Sequence, residues 1–200
     1  MLWFLISTSL FLMAIFLHMK SVEHTKLQEK YGKEKGMKLG KTIAMIYSSE
    51  FIFWMGLLIS PQPKFTIPIF TDSIIAVDHL SIPILHLALS LPAIAVGAWF
   101  GIEGVRKTGM ELAETHCIPK KILNTGIYSK VRHPQYFGWI LAHIGISILL
   151  SAWYSTLFTP VLIALIYLIS KKEEDELIKE FGKEYNDYKQ EVPMLVPHAR

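Results

Sequence analysis

The chain has 200 residues, a formal net charge of +3, and 52% hydrophobic residues against 18% charged ones. This composition is too apolar for an ordinary soluble domain of this length and indicates an integral membrane protein. Nucleic acid is not an expected partner, because the lysines lie in blocks between apolar segments and form no single basic face. A metal is not expected either, because the eight histidines and the single cysteine, Cys117, show no metal-ligand spacing.

Five apolar segments are predicted to cross the membrane as helices, because about 20 helical residues span a hydrocarbon layer about 30 Å thick. They lie at 1–19, 43–60, 81–102, 136–153 and 155–170. Almost nothing separates the last two, which predicts a tight membrane hairpin with its turn around 152–155. Residues 20–42 contain seven lysines and three glycines and are expected to form a solvated loop.

Two of the predicted spans contain residues that need partners inside the membrane. Glu50 lies near the middle of the second span, where a carboxylate costs about 2.5–3.5 kcal/mol on insertion scales. It is therefore expected to face protein, water or a substrate head group, and a hydrogen bond to a neighbouring helix is favoured over a functional role. In the third span, Gly97 and Gly101 predict a close helix neighbour, and His86 is expected to be an interior histidine with satisfied hydrogen bonds.

The distribution of basic residues predicts the orientation in the membrane. With five spans, the segments 20–42, 103–134 and 171–200 share one side and hold seven, six and six of the lysines and arginines. Only Lys64 lies on the other side. Because cytoplasmic loops carry the excess of Lys and Arg, the amino terminus is expected outside and the carboxyl terminus in the cytoplasm.

After the fifth span, apolar side chains recur at steps of three and four residues. They are Leu177, Ile178, Phe181, Tyr185 and Tyr188. This spacing predicts an amphipathic cytoplasmic helix that runs to about Gln190, with Glu173 on the same stripe. The expected fold is therefore an all-α integral membrane protein with five transmembrane helices and a C-terminal amphipathic helix.

The second half of the chain contains three recognisable elements in a fixed order: LNTGIYSKVRHPQYFGW, the apolar hairpin, and EEDELIKEFGKEYNDYKQEVP. In these elements, roughly residues 120–195 resemble the isoprenylcysteine carboxyl methyltransferase family, which is related more distantly to the phospholipid methyltransferases. The resemblance implies methyl transfer from S-adenosyl-L-methionine, held between the RHPxY segment and the EE helix. It also implies two parts, three membrane helices in 1–102 and a cofactor-binding methyltransferase core in 103–200. The residues carried over are Gly126, Ile127, Tyr128, Arg132, His133, Pro134, Tyr136, Glu173 and Glu174.

The charged members of this set suit the chemistry of the donor. Glu173 and Glu174 can accept hydrogen bonds from ribose hydroxyls or from an ammonium group. Arg132 can pair with a carboxylate through two parallel hydrogen bonds, and that carboxylate can belong to the donor or to the acceptor. Arg132 and Glu173 are therefore the candidate catalytic residues.

The remaining members are candidate cofactor-binding residues. Gly126, followed by Ile127, permits close approach of the backbone to a ligand. Tyr128 and Tyr136 can wall the adenine or support the sulfonium by cation–π contact. The backbone near His133-Pro134 can meet the adenine edge.

The expected acceptor is a carboxylate on an isoprenylcysteine-like or other lipid-tailed molecule, small or protein, which reaches the site from the membrane lipids. Such an acceptor needs alignment and removal of water but no general base. A phospholipid amine or a small thiol is the alternative, with His133 or Glu50 as a candidate base. The tail from Val192 to Pro197 lacks the glycine-containing ending common in eukaryotic members, which leaves the lipid more open than the donor. A non-catalytic membrane protein or transporter with Glu50 on its path is the competing class.

Overall fold

The computed structural model describes residues 1–67, 74–77, 80–109 and 121–197, so Cys117 lies outside the described residues. The helices, in chain order, are α1 Leu2–Val22, α2 His24–Tyr31, α3 Lys33–Tyr47, α4 Glu50–Ile59, α5 Ile84–Thr108, α6 Pro134–Leu149, α7 Trp153–Phe181 and α8 Lys183–Glu191. An antiparallel hairpin of β1 Ile74–Val77 and β2 Leu80–Pro83 precedes α5, and a short 3-10 helix, Gly126–Ser129, precedes α6.

Within the described residues, four helices are long and apolar enough to cross a membrane, as expected of a multi-pass membrane protein. They are Leu2–Val22, Lys33–Ile59 (α3 with α4), Ile84–Thr108 and Trp153–Phe181. The prediction of five spans is thus confirmed only in part. Helix α6 has 16 residues, fewer than the roughly 20 that cross a hydrocarbon layer upright. It begins at Pro134, whose missing N–H costs nothing in a first helical turn.

The prediction of a solvated loop at 20–42 is wrong, because α2 and α3 occupy most of it. The glycines that argued against a helix have another role here. A Cβ atom on Gly36 would lie 2.6 Å from the Cα atom of Gln28, so only glycine lets α3 pack this closely against α2. Gly32 separates the two helices with a φ of +81°, which other residues rarely adopt.

The C-terminal helix also differs from its prediction. Helix α7 continues from the membrane into the acidic sequence without a break and ends at Phe181. Gly182, with a φ of +56°, then redirects the chain into α8. The residues of the predicted stripe do pack together with Ile122 and Val192, but on two helices and not on one separate amphipathic helix. The change from apolar to charged sequence therefore occurs within one continuous helix and does not mark a helix end.

The α1–α2 corner is fastened to α7 by polar contacts. Glu176 of α7 accepts hydrogen bonds from the backbone N–H and the hydroxyl of Thr25, both at 2.7 Å, and so caps the first turn of α2. Lys172 of α7 donates to Glu23 at 2.6 Å. Burial alone raises the pKa of Glu23, but hydrogen bonds from Lys172 and Lys26 lower it to about 2. The N-terminal helices are thereby held against the end of α7 that carries the candidate acids.

Two histidines inside the helical bundle have the satisfied hydrogen bonds expected of interior residues. The backbone N–H of Ile67 donates to His86 Nε2 at 3.2 Å, and His86 Nδ1 lies 2.9 Å from the Ser151 hydroxyl. This confirms the interpretation of His86. In the core between α4 and α6, Trp54 Nε1 donates to His143 Nδ1 at 3.0 Å. Both pairs join elements that are distant in sequence.

Helices α5 and α6 pack at glycine-to-glycine distance, as the prediction of a close neighbour for α5 required. A Cβ atom on Gly138 would lie 2.5 Å from the Gly97 carbonyl oxygen, and one on Gly97 would lie 2.7 Å from the Gly138 oxygen. The close approach positions the start of α6 against α5. A Cβ atom on Gly101, by contrast, would meet nothing within 4 Å.

We expect Gly138→Ala to lower the thermal unfolding temperature in detergent by several degrees. The added methyl group collides with backbone of α5, and overpacking of this kind costs about 1–3 kcal/mol. Gly101→Ala is the matched control on the facing helix and is expected to leave the temperature unchanged. Equal unfolding temperatures for the two variants would contradict this packing.

Candidate functional site

A cavity of about 660 Å³ lies where α1, α3, α4, α5, α6 and α7 approach one another. Its volume falls within the range of roughly 300–1,000 Å³ that is usual for ligand sites. Six predicted site residues line it: Tyr128, Arg132, His133, Pro134, Tyr136 and Glu173. The other three, Gly126, Ile127 and Glu174, are not among the residues that line it.

Arg132 and Glu174 form a buried ion pair. Arg132 Nε donates to Glu174 Oε1 at 2.7 Å, and Glu174 is 1% exposed. Lys189 Nζ lies 3.0 Å from the other oxygen of Glu174. The Nη1 atom of Arg132 donates to the backbone carbonyls of Lys189 (3.0 Å) and Val192. These contacts fasten the segment before α6 to α7, α8 and the tail.

The tail continues this attachment through the backbone. The Arg132 N–H donates to the Pro193 carbonyl at 2.9 Å, and the His133 N–H donates to the Met194 carbonyl at 3.0 Å. The Tyr188 hydroxyl donates to the Tyr128 carbonyl at 2.6 Å. The His133 N–H, which belongs to the backbone that sequence reasoning offered to an adenine edge, is therefore already hydrogen-bonded within the protein.

His133 lies between the two adjacent acids. Its Nδ1 atom is 3.3 Å from Glu173 Oε2, and its Nε2 atom is 3.3 Å from Glu174 Oε1. Burial alone lowers the pKa of the His133 imidazole, but the hydrogen bonds with Glu173 and Glu174 outweigh burial and raise it above the ordinary value. Because both nitrogens face carboxylate oxygens, the doubly protonated ring is the form that satisfies both contacts.

Of the two adjacent acids, Glu173 is the one that lines the cavity. Its side chain is 18% exposed, against 1% for Glu174. The Tyr136 hydroxyl donates to Glu173 Oε1. The Tyr136 ring stacks on the His133 ring with centroids 5.7 Å apart. Glu173 is thus held from two sides where it lines the cavity.

The GIY residues, 126–128, lie in the short 3-10 helix that precedes Arg132 in the chain. Gly126 has a φ of +65°, and a Cβ atom there would lie 2.9 Å from Lys107 Cε. Ile127 is buried in a small cluster that includes Phe100. Burial raises the pKa of the Tyr128 phenol to about 12, which keeps the ring neutral at physiological pH. Tyr128 is therefore a cavity wall that carries an uncharged hydroxyl.

Sequence reasoning missed the contribution of the N-terminal helices to the site. His18 and Tyr47 line the cavity together with Glu50, and the His18 and Tyr47 rings stack with centroids 4.1 Å apart. His18 Nδ1 lies 3.1 Å from Glu50 Oε2, so the intramembrane acid has a partner. The available signal was His18 itself, a single histidine in a long apolar run. Within the described residues, no group of three or more His, Cys, Asp or Glu side chains is arranged to hold a metal ion.

Comparisons with known proteins match the part of the chain that carries this site. The phospholipid methyltransferase family model matches residues 85–184. A methanethiol S-methyltransferase of Crocosphaera subtropica is 32% identical over 98 residues, covering 49% of this chain and 38% of that protein. A protein-S-isoprenylcysteine O-methyltransferase of Dictyostelium discoideum is 34% identical over 110 residues, covering 46% of this chain and 44% of that protein.

The chain thus spans less than half the length of these curated relatives. The family model nevertheless covers half of the chain, from α5 through the acids of α7 and into α8. This chain therefore belongs to the phospholipid methyltransferase family, to which its resemblance to the isoprenylcysteine carboxyl methyltransferases had pointed.

Proposed function

We propose that this chain is an integral membrane methyltransferase that uses S-adenosyl-L-methionine and methylates the carboxylate of an isoprenylcysteine-like or other lipid-tailed acceptor. The observation that carries the proposal is Glu173, a carboxylate on the wall of a 660 Å³ cavity that is held by Tyr136 and His133. The family membership and the names of the relatives support the reaction class.

The cavity residues fit the groups of the donor. Glu173 accepts hydrogen bonds from the ribose hydroxyls or the ammonium group. The rings of Tyr128 and Tyr136 provide neutral aromatic surfaces beside which a sulfonium is favourable. When bound, the donor supplies an activated methyl group. The ion pair between Arg132 and Glu174 fixes the position of the helix that carries Glu173. Arg132 also lines the cavity, where its positive charge favours a bound carboxylate.

The state of His133 favours a carboxylate acceptor. Methyl transfer to a carboxylate requires alignment and exclusion of water but no proton removal. The raised pKa of His133 makes it a positively charged neighbour more than a base. Trp54 and Trp139 form apolar cavity walls that exclude water and suit a lipid tail.

A small thiol is the second candidate acceptor. Two proteins named methanethiol S-methyltransferase, from Crocosphaera subtropica and Bradyrhizobium diazoefficiens, match this chain over about half its length. A neutral thiol must lose a proton. Glu50 is a better candidate base for this step than His133, because both ring nitrogens of His133 face carboxylate oxygens. A transporter is less favoured, because Glu50 is paired with His18 within the same cavity.

The charge distribution supports an orientation with the amino terminus outside and the carboxyl terminus in the cytoplasm. In that orientation a water-soluble donor enters from the cytosol and a lipid-tailed acceptor enters from the bilayer. We also propose two parts, membrane helices at 1–102 and a methyltransferase core at 103–200. Residues of both parts line the cavity.

We expect Glu173→Gln to lower kcat/KM for methyl transfer by about tenfold or more, since hydrogen bonds to charged groups contribute about 1.5–3 kcal/mol. Radiolabelled donor and protein in proteoliposomes provide the assay. Asp175→Asn is the matched control, an exposed acid on the same helix outside the cavity. Equal activity of the two variants would remove Glu173 from the site.

Donor binding and acceptor choice are tested together. S-adenosylhomocysteine should raise the thermal unfolding temperature of the purified protein, because a ligand that binds only the folded state stabilises it. With S-adenosylmethionine present, an S-farnesylcysteine analogue should be methylated faster than methanethiol or a phosphatidylethanolamine. Faster methylation of methanethiol would select the second candidate acceptor. No thermal shift and no methylated product would refute the methyltransferase proposal.

His133 predicts a loss of stability at alkaline pH. Its folded-state pKa is raised, so its contribution is full below the unfolded pKa of about 6.5 and is lost as pH rises through the folded value. The unfolding temperature of the wild type should therefore fall from pH 6.5 to 9 by more than that of His133→Gln. Parallel pH curves for the two proteins would show that His133 is not stabilised as an imidazolium.

A further inference from the structure

His18 in α1 and Glu50 in α4 bring two helices outside the family match into contact with the site. The match covers residues 85–184, whereas these two side chains come from the first 60 residues. His18 is 1% exposed, and the Glu50 side chain is 13% exposed. Both line the same cavity as Glu173.

The hydrogen bonds form one chain that runs from Glu50 to Glu173. Glu50 Oε2 lies 3.1 Å from His18 Nδ1, and His18 Nε2 lies 3.2 Å from the Tyr136 hydroxyl oxygen. Tyr136 donates its single hydroxyl proton to Glu173. With that proton used, the Tyr136 oxygen can only accept from His18, so His18 Nε2 is the donor of that bond. The directions of both bonds at the Tyr136 hydroxyl are then fixed.

A purely structural role does not account for this geometry. The contact between α1 and α4 already has an apolar core that includes Phe11 and Leu57, and a pair that only joined these helices would need no third partner. The pair is costly to place within a membrane protein, and His18 points its second nitrogen at Tyr136 of α6. The ring of His18 is also fixed by stacking on Tyr47.

We propose that His18 and Glu50 are positioning residues for the donor site, acting through Tyr136 on the cavity-facing acid Glu173. This inference rests on the proposed function and deepens it, because it assigns a part of the donor site to α1 and α4. Glu50 orients His18, and His18 occupies the acceptor face of the Tyr136 oxygen. The Tyr136 proton is thereby directed to Glu173, and one carboxylate oxygen keeps the orientation that a donor hydroxyl or ammonium meets.

The effect is expected on donor affinity more than on the chemical step, because His18 acts on the Glu173 carboxylate through Tyr136. His18→Leu should raise the KM for S-adenosylmethionine and the Kd for S-adenosylhomocysteine about tenfold, with kcat changed less than threefold. Glu50→Leu should act in the same direction, because it releases His18. His18→Gln should bind nearly as the wild type does, because its amide nitrogen can replace Nε2 as a donor to Tyr136.

The decisive experiment is a double-mutant cycle on purified protein, with S-adenosylhomocysteine affinity measured by titration calorimetry. The cycle combines His18→Leu with Tyr136→Phe, which removes the hydroxyl through which the pair acts. In the Tyr136→Phe background, His18→Leu should change the Kd by less than twofold. Ser9→Ala, at an exposed position of α1, is the control for substitution in this helix.

The outcomes separate this inference from the proposed function. A wild-type protein that binds no S-adenosylhomocysteine would refute the function. A wild type that binds it, with effects of His18→Leu and Tyr136→Phe that simply multiply, would overturn the positioning role. If His18→Leu does not fold, His18→Gln is compared with His18→Asn. The amide of Gln lies near the position of Nε2 and can reach Tyr136, whereas the amide of Asn lies near the position of Nδ1 and cannot replace that donor. Equal affinity of these two folded variants would also overturn the inference.

Discussion

The buried ion pair between Arg132 and Glu174 is the contact on which the rest of the site depends. A carboxylate that is 1% exposed cannot be left alone, since removal of one partner of a buried pair typically costs about 3–5 kcal/mol. Arg132 satisfies Glu174 and at the same time donates to the carbonyls of Lys189 and Val192. The compensation of one charge therefore fixes the position of α8 and of the tail.

Adjacent acids on α7 perform different tasks because successive residues of a helix point about 100° apart. Glu174 points into the protein framework, whereas Glu173 points to the cavity and Glu176 reaches α2. His133 contacts both of the first two and couples them, so the orientation of the cavity acid follows from the buried pair. One helix thus joins the framework, the site and the N-terminal helices.

Motif order allowed the sequence to predict that the RHPxY segment and the EE helix meet, because a hairpin brings its two ends together. The sequence did not predict α2 and α3, since the glycines that weaken an isolated helix here permit close packing with Gln28. It named Glu173 as the catalytic acid but did not predict that Glu174 is the buried partner of Arg132. The role of His18 was missed because its partners, Glu50 and Tyr136, are distant in sequence and belong to separate helices.

A histidine within an apolar helix must find polar partners inside the protein, because the hydrocarbon layer offers none. In this chain the partners of His18 are Glu50 and Tyr136, and both of these residues line the cavity. The region shared with the family supplies Glu173, Tyr136 and His133, and the helices outside it supply the group that completes the hydrogen bonds of Tyr136. The N-terminal helices therefore contribute side chains to the cavity that the shared region also lines, and they contact its acid Glu173 through Tyr136.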